Sequence, residues 1–163
     1  EKGILRMMGI LQGLKEQGLS FVWRIAGDGE QMEECRAECQ SRGLSDCVHF
    51  LGLFNNPYPY FKAADLILVP SYDEAAPMVF DESAFLGVPV LATKTTSTDE
   101  MIIQSGYGFV CENSQDGITN VLMEILNNPK QLEEVTNKLK NGIFANDERI
   151  RRFNEIINGL CVE

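Results

Sequence analysis

Hydrophobic positions along the chain follow two alternating periods. Ile4, Leu5, Met8 and Leu11 recur at helical spacing, and Gly18 follows Lys15-Glu16-Gln17 where a C-terminal cap would stand, which predicts a first helix. Phe21 to Ala26 is a short, nearly continuous apolar run ending in Gly27-Asp28-Gly29, as a buried parallel strand entering a tight turn would be. Met32, Cys35 and Cys39 then mark one face of a helix whose other face is Glu33, Glu34, Glu38 and Gln40, closing at Gly43. Val48 to Leu51 reads as a strand, and the turn-rich stretch Asn55 to Tyr60 leads into a short helix over Tyr60 to Ala64. Leu66 to Val69 is the most apolar strand. Pro77 to Leu86 reads as a helix with Pro at its first position and Gly87 just past its end. Val88 to Thr93 is a strand, Asp99 to Gln104 a short helix, and Phe109 to Cys111 a strand. From Ser114 onward only helix is expected: Gln115 to Leu126, Lys130 to Phe144 and Asp147 to Leu160.

Strand and helix alternating at this spacing mean βαβ units, and short buried strands mean a parallel sheet covered on both faces. The expected class is α/β, a doubly wound parallel sheet with a helical C-terminal tail. No internal repeat, low-complexity tract or linker interrupts it, so residues 1–163 read as one domain. The pattern opens on a helix, where a doubly wound sheet should have a strand. That strand is expected upstream of residue 1, and the chain reads as a piece of something longer.

Composition narrows the function classes. Hydrophobic residues at 44% and charged residues at 23% are ordinary for a globular domain and exclude a disordered chain. Fourteen Lys and Arg against 24 Asp and Glu give a net charge of −10, which argues against a broad phosphate-coating surface for nucleic acid or anionic membrane. An anion site must therefore be local. Five cysteines in a chain of this length are expected as reduced thiols in a cytoplasmic setting. No apolar run approaches the roughly 18 residues of a membrane span.

Ligands of doubly wound folds sit beyond the carboxyl ends of the strands, at helix N-termini whose amides face an anion. Two turns there stand out: Gly27-Asp28-Gly29, and Ser71 to Pro77. In the second, Glu74 leaves the strand and Glu82 lies five residues beyond Pro77 inside the helix, roughly 7 Å along its axis at 1.5 Å per residue. A diphosphate held by the amides of Met78 and Val79 would place a ribose near Glu82 and leave Glu74 facing whatever is attached on the other side. Carboxylates beside hydroxyl-rich groups form charge-assisted hydrogen bonds, so the arrangement suits a nucleotide sugar.

The stretch Pro70-Ser71-Tyr72-Asp73-Glu74-Ala75-Ala76-Pro77-Met78-Val79-Phe80-Asp81-Glu82, continuing through Gly87-Val88-Pro89-Val90, resembles the Glu, seven residues, Glu signature of retaining, GT-B type glycosyltransferases. Ile25 to Gly29, Val48 to Gly52, Ala63-Ala64-Asp65 and Lys2-Gly3 are similar to the motifs flanking that signature, so the resemblance covers residues 2 to about 110. It implies the Rossmann-like, donor-binding half of a GT-B fold. It further implies that Glu74 contacts hydroxyls of the donor sugar, Glu82 the ribose and Lys2 the diphosphate. Backbone at Ala75, Ala76, Pro77, Met78 and Val79, with Gly27 and Gly29, would line the donor pocket, and the backbone at His49 would lie near the base. No metal and no cofactor are implied. The acceptor, a glycan or lipid-linked sugar, would come from an N-terminal domain, placing the enzyme in the cytoplasm or at the inner face of a membrane. The sequence departs from the pattern at Ala75 and at Thr96-Ser97, where glycines are usual; Ala75, where backbone approaches a ligand and a positive φ is one requirement a glycine meets, is expected to narrow or reshape the sugar site.

Plainer readings stand beside these. Cys35 and Cys39 at i, i+4 read as small core residues, Asp28-Gly29-Glu30 as a turn, and Arg149, Arg151 and Arg152 as a solvated helix face. Two rival functions remain: a nucleotide-sugar epimerase of the same fold, which would need catalytic acids and histidine where His49 is the sole histidine, and a non-catalytic interaction module derived from a transferase domain.

Overall fold

In the computed structural model, the structure describes residues 2–53, 55–75, 77–96, 98–104, 106–141 and 155–156. Ala76, Ser97 and Arg149, Arg151 and Arg152 lie outside them, as do Phe144 and all but two residues of the helix expected over Asp147 to Leu160.

Helix and strand alternate as the sequence predicts. The order is α1 (Ile4–Glu16), β1 (Trp23–Ala26), α2 (Met32–Ser41), β2 (Val48–Gly52), α3 (Tyr58–Lys62), β3 (Ile67–Val69), α4 (Val79–Leu86), β4 (Val90–Thr93), a π-helical turn Asp99–Gln104, β5 (Gly108–Cys111), α5 (Gln115–Asn127) and α6 (Pro129–Asn141). Every strand pair is parallel, but the strands form two ladders, β1-β2 and β3-β4-β5, with no pairing between them among the described residues.

What unites the two ladders is α1, which packs against α2 on one side and α5 on the other. Its buried face of Met7, Met8, Ile10, Leu11 and Leu14 joins Ile25 and Val48 of the first ladder to Leu91 and Cys111 of the second in one core cluster. Residues alternate across a strand, so Val90 and Ala92 of β4 point the other way and meet Val69, Phe80 and Ile102. All four residues of β4 are buried. The β3-β4-β5 ladder is thus covered on both faces, whereas in the β1-β2 ladder Arg24, Ala26 and His49 are exposed.

Several boundaries differ from the sequence reading. Phe21 and Val22 precede β1 rather than belonging to it, and Val22 is exposed. The third helix begins at Tyr58, two residues early, because Pro57 and Pro59 suit a first turn, where their missing N–H groups leave no bond unmade. Helix α4 begins at Val79, with Met78 as its N-cap residue, so Pro77 stands before the helix and not at its first position. Gly87 does end it, in the left-handed conformation at φ 74°. Ser114 caps α5 by accepting a hydrogen bond from the Gly117 amide at 3.0 Å.

Candidate functional site

Strand β3 ends at Val69, and the loop after it carries Glu74. The loop is held from below by a buried guanidinium that the sequence pattern did not single out. Arg6, in the first turns of α1, donates from Nη2 to the Pro70 carbonyl at 2.6 Å and the Ser71 carbonyl at 3.1 Å, from Nε to Pro70 at 3.2 Å, and from Nη1 to Asn113 Oδ1 at 2.8 Å. Its guanidinium carbon lies 4.1 Å from the centroid of the Tyr72 ring. Thr93, at the end of β4, donates its hydroxyl to the Ser71 carbonyl, and the Asn113 amide donates to the Tyr72 carbonyl at 2.8 Å. The backbone of residues 70–72 is therefore tied to α1, β4 and the segment after β5.

Glu74 is set by this loop. Ser71 Oγ donates to Glu74 Oε1 at 2.8 Å, and the same oxygen accepts a hydrogen bond from Lys2 Nζ across 72 residues of sequence. The Glu74 side chain is 13% exposed and that of Lys2 68%. Partial burial pushes the Glu74 carboxyl up, but the hydrogen bonds from Lys2 and Ser71, with the Lys2 charge, more than reverse this, so it sits below the ordinary carboxylate value and is ionised at neutral pH. Lys2 is delivered by the segment leading into α1. Gly3 there adopts φ 69° and lies so close to β3 that a Cβ on it would stand 1.8 Å from the Pro70 oxygen.

Glu82 is the fourth residue of α4, so its Cα is about 4.5 Å along the helix axis from Val79. That is nearer the helix N-terminus than a start at Pro77 would have placed it. The Tyr58 hydroxyl donates to Glu82 Oε1 at 3.3 Å, which links α3 to α4. Burial and then the Glu82 charge raise the Tyr58 phenol above its ordinary value, which keeps it a donor. On the first ladder, Gly27 has φ 115° and its amide donates to the Gly52 carbonyl at 2.9 Å, joining the ends of β1 and β2. Gly29 follows in the loop, its amide bonded to Asp28 Oδ1 at 2.8 Å.

Glu74, Gly27 and the Met78-Val79 start of α4 thus lie at carboxyl ends of strands or at the helix N-terminus that follows one, and Lys2 reaches Glu74 from the entry of α1. Ala75 and Met78 are exposed, Pro77 and Val79 half-buried, and Ala76 lies outside the described residues. No described non-glycine residue has a positive φ, so the backbone at Ala75 is not left-handed. His49 is different. It is the second residue of β2, exposed and paired with Arg24, and the carboxyl end of its strand lies three residues further on at Gly52.

Sequence reasoning overlooked Arg6, Tyr58, Thr93 and Asn113. Only Arg6 left a trace, as a charge inside the apolar run Ile4 to Leu11. Among the described residues no three of His, Cys, Asp and Glu stand together as a metal site, and no helix is long and apolar enough to cross a membrane. Four cysteines, Cys35, Cys39, Cys47 and Cys111, are free thiols buried in the core. Burial pushes the Cys111 thiol up to about 11.

Residues 1–142 match the family described as glycosyl transferases group 1. The chain belongs to that family. It is 23% identical over 161 residues to an uncharacterized glycosyltransferase of Haemophilus influenzae, covering 98% of this chain and 45% of that protein. It is 30% identical over 128 residues to the lipopolysaccharide glucosyltransferase WaaG of Escherichia coli, covering 77% of this chain and 33% of that one. The crystal structure of a WaaG superposes with a TM-score of 0.78 at 25% identity, over 97% of this chain and 44% of the other. Anabaena HepE in complex with UDP superposes with a TM-score of 0.74 at 22% identity, over 86% of this chain and 40% of the other, which speaks to the fold. The chain therefore spans less than half the length of these relatives.

Proposed function

We propose that this chain is the donor-binding half of a retaining glycosyltransferase, which transfers a sugar from a nucleotide diphosphate sugar to a hydroxyl acceptor in polysaccharide or glycoconjugate synthesis. The observation that carries the reading is the meeting of Lys2 and Glu74, 72 residues apart in sequence, beside the start of α4 in a chain of this family. In this reading the diphosphate lies against the Met78-Val79 end of α4, where helix amides favour an anion, and Lys2 neutralises the charge that grows as the sugar leaves. Glu74 accepts hydrogen bonds from the sugar hydroxyls. Glu82, oriented by Tyr58, accepts them from the ribose. Gly27 and Gly29 line the cleft from the first ladder, and the backbone at His49 stands on the side of the base. That HepE was crystallised with UDP supports choosing a uridine nucleotide as the first probe.

Calorimetric titration of the chain with UDP and GDP tests the assignment. Glu82→Ala should weaken whichever nucleotide binds by about tenfold to a hundredfold, the worth of charge-assisted hydrogen bonds. An unchanged affinity in a folded Glu82→Ala variant would remove Glu82 from the site. The acceptor, the sugar and the linkage belong to the whole enzyme, and a complementary N-terminal domain is proposed to supply the acceptor side.

A further inference from the structure

Two side chains assigned to opposite ends of the donor are bonded to each other in this structure: Lys2, given to the diphosphate, is on Glu74, given to the sugar. We propose that this ion pair makes the site discriminate an intact nucleotide diphosphate sugar from the spent nucleotide diphosphate. The inference rests on the donor-binding reading above and adds a consequence that reading does not contain.

The asymmetry of the pair carries the argument. Lys2 is 68% exposed on a long, flexible stem and is free to turn to another anion at little cost. Glu74 is 13% exposed, anchored by Ser71, and cannot follow. A diphosphate that takes Lys2 therefore takes it from a partly buried carboxylate, which among the described residues keeps a single hydrogen bond, from Ser71, where an ionised carboxylate can accept about four. Leaving such a group short of partners is unfavourable. An intact donor restores the loss, because its sugar hydroxyls donate to Glu74 as its diphosphate engages Lys2. The spent nucleotide has no sugar and leaves the carboxylate unsatisfied. Donor is held and product is let go by the same exchange of partners, with no moving lid required.

The decisive variant is Glu74→Gln, which keeps the size of the side chain and its ability to accept from Ser71 but removes the charge that holds Lys2. Wild type, Glu74→Gln, Lys2→Ala and the double variant are titrated with UDP and, in parallel, GDP, at low and high salt, with thermal unfolding to verify that each is folded. Removing a carboxylate also lessens its repulsion of an anionic nucleotide, a gain that would persist when Lys2 is absent. Here Glu74→Gln should bind the nucleotide diphosphate about two- to fivefold more tightly, the range that a partly solvated ion pair is worth. The gain should shrink as salt screens the pair, and Lys2→Ala should abolish it. If Lys2→Ala weakens binding while Glu74→Gln leaves it unchanged or weaker, Lys2 holds both partners at once, and the discrimination fails while the donor reading stands. If Lys2→Ala has no effect, or wild type binds neither nucleotide, the donor reading fails and takes this inference with it.

Discussion

Arg6 is 7% exposed, and its burial is compensated by four hydrogen bonds and the face of Tyr72. A guanidinium fork suits this position because its donors diverge in fixed directions, reaching two successive carbonyls on one side and Asn113 on the other. Arg6→Met would fill the volume and leave the Pro70 and Ser71 carbonyls with fewer donors, so it should cost about 2–4 kcal/mol. That corresponds to a fall of roughly 5–15 °C in melting temperature for a chain of this size, measurable by calorimetry. Arg6→Lys should recover little of the loss, since one ammonium cannot span both sides; full recovery by Lys would mean that charge, not the fork, matters. None of this was legible from the sequence. The partners of Arg6 lie 64 and 107 residues away, and no local period announces contacts of that range. Glu74 and Glu82 were found only because a motif preserves their spacing, and their first partners, Ser71 and Tyr58, carry no such mark.

At the scale of elements, sequence reading succeeded where a pattern repeats several times. The continuous apolar runs of β2, β3 and β4 and the 3.6-residue face of α1 are such patterns, and each element was found within two residues. It slipped where one residue has two meanings. Pro77 fits the first turn of a helix and equally the residue before an N-cap, and only the tertiary position of α4 selects the second. The short helix expected over Asp99 to Gln104 stands at those bounds, wound as a π-helix, a distinction that six residues carry in no period. The junction of β3 and α1 is the most constrained point in the fold. Gly3→Ala would force a side chain into a left-handed backbone and drive its Cβ to 1.8 Å from the Pro70 oxygen. Backbone must shift to relieve that contact, so a loss of about 3 kcal/mol or more is expected by urea unfolding. Gly18 is the control: it too has a positive φ, 81°, but nothing lies within 4 Å of a Cβ there, and Gly18→Ala should cost only about 1–2 kcal/mol. Equal losses at the two sites would show that φ alone matters and that the close approach of α1 to β3 does not hold in solution.

At the scale of the molecule, a charge of −10 and an anionic ligand are compatible only if attraction is local and fixed by geometry. In the proposed site that geometry is shared between parts that no ladder joins. Gly27 belongs to the β1-β2 ladder, Glu74 and the start of α4 to the β3-β4-β5 ladder, and Lys2 to the entry of α1, which packs on both. If α1 makes the two ladders one body, a nucleotide bound at any of these points should slow amide exchange at all of them together. Hydrogen exchange of the chain with and without saturating UDP tests this. Protection should appear in peptides spanning Gly3 to Leu11, Ala26 to Met32 and Met78 to Ser83, with α6, remote from the strand ends, unchanged. Protection confined to α4 and the Glu74 loop would mean that the first ladder lies outside the site, and Gly27 and Gly29 would then be structural turns. Arg6→Met sharpens the outcome. It loosens the tie between α1 and the 70–72 loop without touching the nucleotide, so it should weaken protection at Gly3 to Leu11 more than at Met78 to Ser83. A uniform loss would instead mean that the two ladders are held together by their shared core alone.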